Sequence, residues 1–218
     1  MKILLLGATG RTGKYLLAEA LDRGHIVHAL VRDKSKITTS NNNLFLFEGF
    51  PTNEADLAHA MKDCDAILSV LNISRTSDFP WAKLRTPTTF LSDAIKIMAK
   101  VAAHEKSKRM IICSAWGANE TKKDIPGWFR WLIDNSNIGV AYRDHEVQEN
   151  YLKGTGFEYT IVRPVGLTNS EKEQVVCVTL NDNPKPTLTI SRKSTAKFML
   201  EVLDKNLFVK QAVTISKQ

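Results

Sequence analysis

Short apolar runs alternate along the chain with segments whose apolar residues recur every three or four positions. Ile3–Leu6 is uninterrupted apolar, the pattern of a strand buried on both faces. Lys14–Asp22 follows, with Leu16, Leu17, Ala20 and Leu21 on one side, which predicts an amphipathic helix ended by Gly24. His25–Val31 and Leu44–Phe47 read as the second and third strands, and Ala66–Leu71 as the fourth. Between the last two, Asn53–Lys62 reads as a helix with Asn53 as its cap. Thr86 and Pro87 open a longer helix, because proline at the first helical position needs no N–H partner. Its apolar face is Phe90, Leu91, Ala94, Ile95, Met98 and Ala102. Met110–Cys113 is then a strand, Val140–Lys153 a helix stopped by Gly154, and Phe157–Arg163 a strand before Pro164. A short strand at Leu188–Ile190, a helix over Ser194–Leu203 and a strand near Ala212–Ile215 close the chain.

Strand–helix alternation of this kind predicts an α/β fold, a doubly wound parallel sheet with helices on both faces. With 218 residues and no internal repeat or low-complexity linker, one domain over 1–218 is expected. The stretches 115–140 and 165–190 break the alternation and are expected to form substrate-side loops, the second within a small C-terminal substrate region.

The first strand runs into Gly7-Ala8-Thr9-Gly10-Arg11-Thr12-Gly13, a GxxGxxG turn leading into a helix. Such a turn aims backbone N–H groups and the positive end of the helix dipole at a pyrophosphate. Gly7 permits the bend, Gly10 admits the phosphates, and Gly13 lets the helix pack on the sheet. This Rossmann-type context makes Gly7, Thr9, Gly10, Arg11, Thr12 and Gly13 candidate dinucleotide contacts. At the end of the second strand, where an NAD-preferring site usually carries an acid, stands Arg32. A guanidinium there suits a 2′-phosphate, with Arg11 as a second cation, so NADPH is the expected cofactor. Asp33, one residue later, leaves NAD open.

Charge and cysteines narrow the picture further. The formal charge is +7, but the basic residues are scattered and no Lys/Arg block interleaves with aromatics. That describes a solvated basic surface, not a nucleic-acid site. Cys64, Cys113 and Cys177 form no CxxC pair, and buried structural thiols in a cytoplasmic protein are expected. No apolar run approaches the roughly 20 residues of a membrane span. His25, His28, His59 and His104 share no spacing, which argues against a metal site. A monomer or homodimer acting on a small molecule is the expectation.

The stretches MKILLLGATGRTG, GHIVHALVRDKSK, DAILSVL, GFEYTIVRP and ISRKSTAKFMLEVL together resemble the atypical short-chain dehydrogenase/reductase families. The resemblance is nearest to the NAD(P)-binding proteins that include biliverdin-IXβ/flavin reductase and the NmrA-like proteins. It implies a Rossmann fold with a small substrate region, and neither a particular substrate nor catalysis. Two departures stand out. Relatives carry Gly-Asp after the third strand, with the Asp on the adenine, whereas here Phe50 follows Gly49 and points to stacking or backbone contacts. Relatives often have glycine where Asn72 stands, beside the expected nicotinamide ribose.

Candidates for chemistry lie downstream. Short-chain reductases generally use a tyrosine four residues before a lysine, which lowers the phenol pKa. Tyr142 lies in the corresponding helix, but its i+4 residue is Glu146, so that acid is absent or unactivated. Ser114, at the carboxyl end of the fifth strand, is expected to face the nicotinamide. The Asp144-His145-Glu146 stretch is similar to the flavin/biliverdin reductase helix in which a histidine lies at the active site. His145 could then assist as a proton donor, the opposing reading being a surface helix residue. Trp128, Trp131 and Leu132, spaced i, i+3, i+4, read as core packing in preference to an aromatic lid. Three functions remain open: an NADPH-dependent reductase of a flat conjugated acceptor, a non-catalytic NADP(H)-binding regulator, and a dehydratase or epimerase with bound NAD.

Overall fold

The structure, a computed structural model, describes residues 1–105 and 109–218. Among the described residues, ten strands and six α-helices run in the order β1 (Lys2–Leu6), α1 (Arg11–Asp22), β2 (Ile26–Val31), β3 (Leu44–Glu48), α2 (Glu54–Met61), β4 (Ala66–Ser69), α3 (Phe90–Ala102) and β5 (Arg109–Cys113). Then come α4 (Gly127–Asp134), α5 (Ile138–Lys153), β6 (Glu158–Pro164), β7 (Gly166–Thr168), β8 (Val176–Thr179), β9 (Thr189–Ser191), α6 (Arg192–Asp204) and β10 (Gln211–Lys217).

Eight strands form one sheet in the order β3-β2-β1-β4-β5-β6-β10-β8. The first seven are parallel, and β8 pairs antiparallel with β10 at the edge. Alternate side chains of β1 feed two cores. Ile3 and Leu5 join α1 and α6 on one face, while Leu4 and Leu6 join α2, α3 and Leu152 of α5 on the other. A strand that is apolar at every position is thus needed twice over.

Local signals set most boundaries. Gly24, with φ +78°, follows the end of α1, and the Asn53 side chain accepts from Asp56 N to cap α2. The helix expected to open at Thr86 and Pro87 begins instead at Phe90. Thr86 is drawn away, its Oγ1 accepting from Ser74 N at 3.1 Å and tying the end of the 70–89 excursion to its start. The open end of α3 is then capped from outside. Asp144 of α5 accepts from Leu91 N at 2.6 Å and from Ser92 N at 3.2 Å.

The two expected loops carry more structure than the periodicity suggested. The stretch 115–140 contains α4 and the start of α5, and 165–190 contains β7 and β8. β7 pairs in parallel with β9 as a separate two-stranded sheet, Leu167 opposite Ile190. Runs of three or four residues are too short to show a period, but once packed on the domain their backbone groups must find partners. Helix α4 also faces differently from the expectation. Trp128 and Trp131 are 65% and 60% exposed, whereas Ile133 is buried and Phe129 packs against the core. The i, i+4 pair Phe129 and Ile133 forms the inner face, so the tryptophans point outward.

Candidate cofactor and substrate site

The glycine turn lies between β1 and α1, where strand order reverses between β2 and β4, the position at which open parallel sheets bind ligands. Gly7 has φ +86°, and a Cβ on it would come within 3.0 Å of Val70 O. A Cβ on Gly13 would lie 1.9 Å from Gly7 O, so this glycine is imposed by helix–turn packing. Gly10 is exposed, with φ −76°, and caps α1 without a side-chain hydrogen bond. No acid lies in the first turn of α1, and the leading N–H groups, those of Arg11, Thr12 and Gly13, have no partner within the helix. Thr9 and Thr12 are half-buried beside them. A dianionic pyrophosphate fits this arrangement of donors and dipole.

Arg32 is exposed just beyond β2. Asp33, the acid that kept NAD open, is committed locally: its carboxylate accepts from Ser35 N at 2.9 Å and Ser35 Oγ at 2.6 Å. Those bonds hold its pKa below the usual carboxylate range. Phe50 is 52% exposed at the end of the neighbouring β3, with Gly49 N bound to Val31 O. The ring and the guanidinium therefore stand just beyond adjacent strand ends. Arg11 makes two 2.9 Å hydrogen bonds to Asp78, from the excursion after β4.

At the carboxyl ends of β4, β5 and β6 lies a cavity of about 270 Å³. Asn72, Ser114, Tyr142 and His145 all line it, although 73 residues separate the first from the last. The parallel order β4-β5-β6 and the crossing of α5 above it bring them together. Trp116, Phe129, Leu167, Arg75 and Arg192 complete much of the wall.

Each candidate has a definite environment. His145 is 3% exposed, so the surface-residue reading does not hold. Desolvation pulls its pKa down to about 4, against the opposing pull of Glu149 and Asp144. The ring is therefore neutral near pH 7, and Gln148 Nε2 lies 3.5 Å from its Nδ1. With Gln148 as donor, the ring proton sits on Nε2. Tyr142 donates to Trp116 O at 3.2 Å, and burial raises the phenol pKa above its ordinary value. Ser114 Oγ is buried within electrostatic reach of Glu149 but forms no hydrogen bond of good geometry.

Beneath the cavity, Arg163 of β6 binds Glu149 of α5 through Nε at 2.9 Å and Nη2 at 2.5 Å. Its Nη1 reaches Glu120 at 2.6 Å, and Asn119 Nδ2 donates to Glu149 at 2.8 Å. These bonds hold Glu149 below the usual carboxylate range despite burial, and Glu120 at about 2. The network fixes α5, and with it Tyr142 and His145, against the sheet. Arg75, Arg192 and Glu149 are residues that sequence reasoning did not assign. Arg163 and Arg192 sat in the VRP and ISR stretches that carried the resemblance, while nothing local distinguished Arg75.

A family model described as NAD(P)H-binding matches residues 7–206. The chain belongs to that family. Among curated relatives, an oxidoreductase of Pestalotiopsis microspora is 26% identical over 176 residues, which are 75% of this chain and 66% of that protein. The chain thus spans about two thirds of that relative's length. Among solved structures, an anaerobilin reductase from Escherichia coli O157:H7 superposes with a TM-score of 0.82 at 18% identity, covering 100% of this chain and 97% of its own. A short-chain dehydrogenase/reductase from Veillonella parvula, in complex with NADP, gives 0.81 at 18% identity, covering 99% and 94%. The fold of this family member is that of the short-chain dehydrogenases/reductases. Among the described residues, no cluster of His, Cys, Asp or Glu could hold a metal ion, and no helix is long and apolar enough to cross a membrane.

Proposed function

We propose that this NAD(P)-binding protein is an NADPH-dependent reductase of a small conjugated acceptor such as a flavin, a quinone or a linear tetrapyrrole. The observation that carries the reading is the meeting of Asn72, Ser114, Tyr142 and His145 around one cavity beyond the carboxyl ends of β4, β5 and β6. Bound NADPH supplies a hydride to an electron-poor atom of the acceptor. The turn from Gly7 to Gly13 would hold the pyrophosphate, Arg32 the 2′-phosphate, and Phe50 the adenine face. Asn72 and Ser114 orient what lies over the strand ends. Trp116, Phe129 and Tyr142 give a flat acceptor an apolar wall and exclude water. Neutral His145 offers its Nε2–H to an acceptor heteroatom as negative charge builds there, acting as a hydrogen-bond donor and not as a cationic acid. The stretches 115–140 and 165–190 belong to this substrate side of the single domain.

A second reading, a redox-sensing NADP(H)-binding regulator, draws on the missing lysine and on the raised pKa of Tyr142. Turnover separates the two. NADPH oxidation is followed with FMN, small quinones and a linear tetrapyrrole, one at a time. At least one should be reduced, and His145→Asn should slow that reaction by about 10- to 100-fold. Tight NADPH binding with no acceptor reduced favours the regulator.

A further inference from the structure

Two guanidinium groups in the cavity wall have no part in the chemistry above. Arg75 reaches it from the excursion after β4, and Arg192 from the start of α6. Arg192 is only 9% exposed, and its Nη1 donates to the neutral Asn169 Oδ1 at 2.6 Å. Arg75 is half-buried and makes one long bond, 3.4 Å, to the Pro80 carbonyl. Among the described residues, neither forms an ion pair. Arg163 shows the usual arrangement for a buried cation here: it is 2% exposed and held by two carboxylates. Burying a cation is costly unless an anion accompanies it.

The nearby electrostatics do not supply that anion. Among the described residues, Asp78 is the one carboxylate that acts on both Arg75 and Arg192, and Arg11 already grips it with two hydrogen bonds. Three guanidinium groups thus share one carboxylate. Desolvation, reinforced by repulsion from Arg11, lowers the pKa of Arg192, and Arg75 is pushed the same way. Trp116, Phe129 and Tyr142 line the same cavity and are aromatic.

We propose that Arg75 and Arg192 form an anion clamp for the substrate, so that the acceptor carries a carboxylate beside its conjugated system. Its flat body lies on the aromatic wall and its carboxylate meets the guanidinium forks. The clamp refines the reductase reading by naming the substrate class, but it concerns binding alone. A pyrophosphate from the cofactor offers the same chemistry, since Arg11 belongs to the phosphate-binding turn.

Calorimetry on the NADPH-loaded protein, with naphthoate and its neutral counterpart naphthamide as probes, tests the clamp. Naphthoate should bind about tenfold or more tightly than naphthamide. Arg75→Gln and Arg192→Gln should each remove most of that preference while changing NADPH affinity less than about twofold. Arg75 lies on a surface excursion, so its variant should fold even if Arg192→Gln perturbs α6, and circular dichroism checks both. Equal binding of the probes, or no binding of naphthoate, overturns the proposal. So does a roughly tenfold loss of NADPH affinity in the variants with the probe preference intact, which would assign the arginines to the cofactor. Probe binding needs no turnover, so this result stands apart from the acceptor assay.

Discussion

The three glycines of the turn do different work. Gly13 has no room for a side chain, since an added Cβ would lie 1.9 Å from the Gly7 carbonyl oxygen. Gly10 is exposed, and its Cβ would lie 3.2 Å from the same atom, a contact that a small shift relieves. Gly13→Ala should therefore act on the fold. Overpacking typically costs about 1–3 kcal/mol, more where backbone must move, and each kcal/mol lowers the Tm of a domain this size by about 2–4 °C. A drop of at least about 5 °C is expected in thermal unfolding. Gly10→Val should leave the Tm nearly unchanged and, on the proposed reading, abolish NADPH binding, because its side chain would occupy the surface proposed for the phosphates. On the proposed reading, Arg32 sets the preference between the two cofactors. Removing a charge-assisted contact worth about 1.5–3 kcal/mol, Arg32→Ala should weaken NADPH binding roughly tenfold or more and leave NADH unchanged. Calorimetry with both cofactors checks this, and equal affinities in the unaltered protein would count against it.

Among the elements, α3 and α5 depend on one another through Asp144. The carboxylate of one helix satisfies two N–H groups at the start of the other and complements its dipole. Asp144 is 4% exposed and lies next to His145, so the same contact that closes α3 sets the position of the cavity-lining turn of α5. Asp144→Ala should cost about 1–2 kcal/mol, the upper range for loss of a helix cap. Amide exchange at Leu91 and Ser92 should quicken, while amides of α1 on the opposite face keep their protection. Uniform quickening across both helices would show that Asp144 supports the whole fold and not this one junction.

Across the whole molecule, ionisable groups whose pKa values shift on folding make stability depend on pH. The His145 pKa falls from 6.5 to about 4 on folding, so below pH 6.5 the unfolded chain binds more protons. Its contribution is complete above pH 6.5 and is lost as the pH falls toward 4, about 3 kcal/mol in all. His25 and His28, whose pKa values burial also lowers, act in the same direction. Glu120, lowered to about 2, and Glu149 contribute in a separate window. Their stabilisation is present above the ordinary glutamate range and disappears at more acid pH. The Tm should therefore fall in two stages on acidification, and His145→Asn should flatten the first. A variant whose Tm tracks the parent between pH 6.5 and 4 would refute this account.

The order of strands and helices was legible because it rests on local physics. An all-apolar run, a 3.6-residue period, Asn53 before a helix and Gly24 after one each act within a few residues. The GxxGxxG turn belongs with them, since Gly7 and Gly13 are imposed by backbone geometry between adjacent elements. Tertiary structure decided what depends on distant partners. It moved the start of α3 from Thr86 to Phe90, because Ser74 took the threonine hydroxyl and Asp144 supplied the cap. It turned Trp128 and Trp131 outward and made a strand of Gly166–Thr168, which exists only as the partner of β9, the short strand that the sequence did announce at Leu188–Ile190. It also brought Arg75 and Arg192 to the cavity that holds Ser114 and His145. Only the parallel strand order draws those chain positions together, and only burial leaves His145 neutral and the two arginines short of counter-charge.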